Sequence, residues 1–104
     1  MEDFTLTTPL WRWQSATGPA AWFFVTIAGD DADGIRMAAM TGQWMDGRKG
    51  FGSARVEARI GRTRWRTSVF PHKESGGWLL PIKAAVRKAE ALAEGDAVTV
   101  TISL

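Results

Sequence analysis

Hydrophobic and polar residues alternate most cleanly between Ser53 and Val69, and that stretch carries the most specific structural prediction in the chain. Ala54, Val56, Ala58 and Ile60 fall on one parity and Ser53, Arg55, Glu57 and Arg59 on the other, the period of a half-buried strand. Gly61-Arg62 then reads as a two-residue turn, with glycine at the position where a type II′ loop needs positive φ. Such a turn fixes the register. Ile60 faces Thr63, Ala58 faces Trp65, Val56 faces Thr67 and Ala54 faces Val69 on the core side. On the outer side Glu57 meets Arg66, Arg55 meets Ser68, and Arg59 meets Arg64, the last a repulsive pair. A slip of one residue would put Trp65 into water, so the apolar pattern and the turn agree.

Other segments read less sharply. Phe4 to Thr8 alternates like a strand until Pro9 interrupts it, and Leu10-Trp11-Arg12-Trp13 continues it. Ser15 to Pro19 is a loop by composition. Ala21 to Ala28 is apolar at both parities, which predicts a strand covered on both sides, with Trp22 in the core beside Trp65 and Trp78. Asp30 or Asp31 caps a helix that runs to about Met40 and ends at Gly42. Gln43 to Gly52 has no clean period and reads as a glycine-rich loop. After the hairpin, Pro71 to Gly77 is a polar connection and Trp78 to Pro81 a short strand. From Ile82 to about Ala93 the stripe Ile82, Ala85, Val86, Ala89 and Leu92 predicts an amphipathic helix, closed by Gly95. Asp96 to Leu104 alternates as the last strand, with Val98, Val100, Ile102 and Leu104 inward.

Two β-β-α-β units follow one another in this reading. They predict a mainly β fold, a six-stranded barrel with pseudo-twofold symmetry and a helix near each end, occupying residues 1–104 as one domain.

Composition removes several chemistries. The chain has no cysteine, hence no disulfide, thiolate nucleophile or zinc-thiolate site. A single histidine, His72, leaves no multi-histidine metal site within one chain. No apolar run is long enough to span a bilayer and the acidic start lacks a signal-peptide pattern, so a cytoplasmic protein without membrane partners, metal or cofactor is expected. The charge is modest, +2, but unevenly placed: from Arg48 to Lys73 there are eight Lys or Arg and one acid, Glu57. A basic segment of this kind attracts an anion or a nucleic acid, although a solvated strand face accounts for the same charges.

The ordered set Gly50-Phe51-Gly52-Ser53, Ile60-Gly61, Trp65 to Pro71, Leu80 to Ala89 and Glu94 to Val100 resembles a small bacterial and archaeal domain-of-unknown-function family. Its members occur alone or joined to a YdeI/OmpD-associated, bacteriocin-protection-like domain. The resemblance covers almost the whole chain and implies a double-split β-barrel capped by helices. It implies no activity. Related split barrels include transcription regulators and antitoxins that bind DNA as swapped dimers, a link of fold that does not carry function with it.

The strongest candidate site joins Arg48 and Lys49 on the glycine-rich loop, Arg66 and Ser68 on the hairpin, and Lys83 and Arg87 on the second helix. Lys83 in a first helical turn and Arg87 four residues on are both unfavourable placements that a bound anion would relieve. The competing account has Glu90 pairing with Arg87 while Lys83 points into water. Trp44 and His72 are secondary candidates. His72 lies in a polar connection without a positioned partner, so no catalytic residue is assigned. Trp11, Trp13 and Trp44 near loops or edges offer stacking platforms for a flat ligand, or pack over the barrel ends. The expected function is a non-catalytic binding or accessory module for a small anionic ligand or a protein segment near the barrel mouth, monomeric or weakly dimeric. A nucleic-acid-binding barrel is the alternative, and an enzyme joining His72 or Asp96 to the basic cluster is a third reading.

Overall fold

The computed structural model describes residues 3–14, 17–18, 21–45 and 53–104, with residues 39–45 described by their backbone alone. In chain order the elements are β1 (Asp3–Pro9), β2 (Trp11–Gln14), β3 (Ala21–Ile27), α1 (Gly29–Met45), β4 (Ala54–Ile60), β5 (Thr63–His72), β6 (Gly77–Pro81), α2 (Ala84–Ala89) and β7 (Ala97–Ser103). The strands form one curled antiparallel sheet in the order β1-β7-β4-β5-β6-β3-β2.

The β4–β5 hairpin adopts the register its alternation demands, from Ile60 opposite Thr63 to Ala54 opposite Val69. Gly61 takes φ 58°, as a first turn position of type II′ requires. β3–β6 and β1–β7 follow the same parity rule. Val25 and Leu80 pair inward, as do Leu6 and Val100. All buried side chains among the described residues are apolar, with Val25, Ile27, Ile35, Ala58, Val69, Leu80, Val100 and Ile102 wholly inaccessible.

The described residues form seven strand segments rather than six, because the first strand breaks at Leu10 and its halves join opposite edges of the sheet. β1 pairs with β7 as far as Pro9 opposite Ala97, and β2 pairs with β3 from Trp11 opposite Phe24. Proline has no N–H to continue a ladder, so a change of partner falls naturally there. Leu10, 1% exposed, is held on both sides: its N–H donates to the Asp96 carbonyl at 2.9 Å and its carbonyl accepts from the Gly95 N–H at 2.7 Å. Nearby, the Thr8 hydroxyl donates to the Thr26 carbonyl (3.0 Å), and the Trp11 indole N–H donates to the Thr26 hydroxyl (2.9 Å). The two edges of the sheet are therefore one residue apart in sequence, and the sheet curls round to meet itself.

The helices depart from their expected lengths in opposite directions. α1 continues through Gly42 to Met45. Glycine within a helix costs only about 1 kcal/mol and stops it only by turning left-handed. α2 spans just Ala84–Ala89, because Ala91 takes φ 53° and ends the helix where the stripe had promised another turn. The Leu92 N–H bonds to the Arg87 carbonyl at 2.8 Å and that of Ala91 to Lys88 at 3.4 Å, the Schellman arrangement with alanine in the position glycine usually fills. Of the stripe, Ile82 and Val86 are buried and Leu92 packs against the core, while Ala85 and Ala89 stay exposed.

Two further expectations are corrected. Trp22 is 55% exposed, because β3 is covered on its inner face only and Trp22 has outer parity. Pro71 and His72 are not loop residues: β5 extends through them, pairing His72 with Gly77. Gly77 is buried against β3 so closely that a Cβ there would lie 1.8 Å from the Ile27 carbonyl oxygen.

Candidate functional site

No described polar or charged side chain is fully buried, and strand parity decides on which face each one lies. β1, β7, β4 and β5 turn a polar face outward. Thr5 and Thr101 hydroxyls bond at 3.0 Å and Thr7 and Thr99 hydroxyls at 2.8 Å across β1–β7. Beside this threonine ladder, a concavity of about 590 Å³ is lined by Arg55, Glu57 and Arg59 of β4 and Arg64 and Arg66 of β5, with Asp3, Thr101 and Ser103 at its side.

The hairpin register places Arg59 directly opposite Arg64 and Glu57 opposite Arg66. The ion pair that forms is diagonal, Arg64 Nε to Glu57 Oε1 at 3.5 Å, between exposed side chains. An exposed pair of that kind contributes between nothing and about 1 kcal/mol. Two carboxylates, Glu57 and at the side Asp3, thus accompany four guanidiniums around the concavity, and the directly opposed arginines repel each other, offset in part by the Glu57 pair.

The other half of the outer wall has the opposite character. On β2 and β3, Trp13 lies opposite Trp22 and Trp11 opposite Phe24. The Trp11 and Phe24 rings are tilted together with centroids 5.3 Å apart, while Trp13 (48%) and Trp22 (55%) remain exposed. Leu79 of β6 lies between Thr26 of β3 and Phe70 of β5 on the same face, and Phe70 is 46% exposed. β5 belongs to both halves, carrying Arg64, Arg66 and Ser68 and then Phe70 along one parity.

The residues singled out from sequence distribute as follows. Arg66 and Ser68 share the outer face of β5. Lys83 is exposed, in extended conformation just before α2. Arg87 is half-buried and already occupied: its guanidinium lies 3.8 Å from the centroid of Phe23 and its Nε donates to the Ile82 carbonyl at 3.2 Å. Glu90 does not pair with it, accepting instead a 2.6 Å hydrogen bond from the Thr63 hydroxyl. No hydrogen bond or ion pair among the described residues joins Arg66 or Ser68 to Lys83 or Arg87. Arg48 and Lys49 lie outside those residues, and Trp44 is described only as backbone near the end of α1. His72 has its Nδ1 2.8 Å from the Ser75 hydroxyl, a hydrogen bond within the β5–β6 turn, and its Nε2 3.8 Å from the exposed Glu74 carboxylate.

Arg55, Arg59 and Arg64 stand outside the candidate site expected from sequence, and the repulsive Arg59–Arg64 register is the feature of the sequence that points to them. Among the described residues, no helix is long and apolar enough to cross a membrane.

No curated protein matches this chain. The family model of a domain of unknown function (DUF1905) matches residues 6–102. That span begins within β1, ends within β7 and takes in the arginine face and the aromatic hairpin alike: the chain belongs to the DUF1905 family of domains of unknown function.

Proposed function

We propose that this chain is a non-catalytic binding module that holds an anionic ligand, bearing phosphate or carboxylate groups, on the arginine-lined outer face of β4 and β5. The observation that carries the reading is the direct opposition of Arg59 and Arg64, with Arg55 and Arg66 on the same face, so that four guanidiniums outnumber the two acids there, Glu57 and, at the side, Asp3. Paired guanidiniums present planar donor forks that match phosphate and carboxylate oxygens. A face built for stability alone would alternate charge sign across the ladder. An anion between the two arginines turns an unfavourable pair into a favourable three-body arrangement. The threonine and serine hydroxyls of β7 beside it supply neutral donors.

This reading moves the ligand from the barrel mouth to the outer wall, because Arg87 near the mouth is engaged with Phe23 and Ile82. Titration calorimetry at low salt with inorganic pyrophosphate, citrate and nucleoside triphosphates tests it. Saturable binding should appear with at least one of these, and Arg59→Ala or Arg64→Ala should weaken it roughly tenfold, as loss of a charge-assisted hydrogen bond does. Lys83→Ala, away from the concavity, should leave it unchanged. Binding that survives both arginine substitutions would refute the site.

A further inference from the structure

Resting on the anion-binding reading, we infer that the anion is the backbone of a single-stranded nucleic acid whose bases stack on the aromatic half of the same wall, chiefly on Trp13 and Trp22. A small anion would need only the arginines, leaving the aromatic half without a purpose. Leaving indole rings half in water forfeits much of the apolar area that a tryptophan normally buries. Here two such residues lie opposite each other on β2 and β3, 48% and 55% exposed.

Three features make this half of the wall a platform for flat rings. Trp11 is held beside it on the neighbouring rung, by its hydrogen bond to Thr26 and its contact with Phe24. Phe70 and Leu79 continue the apolar face back to β5, the strand that also carries Arg64 and Arg66. Positive charge and aromatic surface are therefore contiguous on one wall, the combination with which proteins track a single strand: guanidiniums on phosphates and rings on bases. A double helix offers no unstacked base to such a platform. An acidic peptide would satisfy the arginines but brings flat rings only where its own aromatic residues fall, whereas a single strand carries one at every nucleotide.

The test uses a labelled oligothymidylate of about 16 nucleotides, near the upper range of single-strand site sizes, beside inorganic polyphosphate of similar charge. Affinities are measured by fluorescence anisotropy across a salt series. The wild-type chain should bind the oligonucleotide more tightly than polyphosphate. Trp13→Ala and Trp22→Ala should each lower oligonucleotide affinity by about 5-fold to 100-fold, the range of one lost stacking contact, with polyphosphate affinity and salt slope unchanged. Arg59→Ala should weaken both ligands and reduce the logarithmic salt slope by about 0.7 for each lost phosphate contact. Trp22→Phe, which keeps an aromatic face, should recover most of the loss, and an unchanged melting midpoint shows that each variant folds.

Oligonucleotide bound no better than polyphosphate, or unaffected by both tryptophan substitutions, would overturn this inference and leave the anion reading standing. Failure of every anion to bind would overturn both. A chain that sediments as a dimer and becomes monomeric on Trp13→Ala or Trp22→Ala would assign the aromatic face to a second copy and also overturn it.

Discussion

Ala91 adopts φ 53°, a region where a Cβ crowds the following carbonyl at a cost of roughly 1–2 kcal/mol. It is held there by the two helix-ending hydrogen bonds to Arg87 and Lys88 and by Leu92, which packs on the core. Ala91→Gly relieves the crowding but adds freedom to the unfolded chain. The net expectation is a gain of about 0.5–1 kcal/mol, read from denaturant midpoints at constant slope. Gly77 is the reverse case: the Ile27 carbonyl occupies the place of a side chain, and backbone cannot yield as a side-chain tip can. Gly77→Ala should cost about 2–3 kcal/mol, as overpacking in a dense interior does. Neither residue announced itself in sequence. Alanine ordinarily extends a helix, so the apolar stripe ran on to Ala93 with nothing to stop it. Gly77 looked like one more turn glycine, because its close neighbour is fifty residues away. Trp22 was misread for a related reason: an apolar residue at outer parity looks the same whether or not another element covers it.

At the scale of elements, the β4–β5 hairpin was legible to the residue. A period of two and a two-residue turn leave one register, and a slip would have exposed Trp65. The helices were legible as elements but not in length, since Gly42 and Ala91 each act against their usual tendency. The candidate site was only half legible. The opposition of Arg59 and Arg64 is legible in the alternation, whereas alternation gives no distance from Arg66 and Ser68 on β5 to Lys83 and Arg87 at α2, and Arg87 has partners of its own in Phe23 and Ile82. The same hairpin offers a stability test. Arg59 has no ion pair among the described contacts, whereas Arg64 has Glu57. Arg59→Glu would convert a like-charged cross-strand pair into an opposite-charged one and keep the existing pair. Stability should rise by about 0.5 kcal/mol at low salt, and the gain should shrink as salt screens it.

For the molecule as a whole, the junction at Leu10 joins the two edges of the sheet. Its side chain is buried, both its backbone groups are bonded to the Gly95-Asp96 turn, and β1 and β2 diverge from it to opposite neighbours. Leu10→Ala should therefore cost about 2–5 kcal/mol by cavity formation. Faster amide exchange along both β1 and β2 would show that the two edges loosen together. Among the described residues the fully buried side chains are all apolar, and on the proposed reading the outer wall carries binding, where binding and stability are set against each other. Thermal unfolding of the wild-type chain and of Arg59→Glu, each with and without saturating inorganic pyrophosphate at low salt, measures that opposition directly. Without ligand the variant should melt about 2–4 °C higher, the shift that 0.5 kcal/mol produces in a domain of this size. With ligand the wild-type midpoint should rise by mass action and overtake a variant that does not respond. Equal ligand-induced rises in the two proteins, or a variant that is less stable without ligand, would contradict the account.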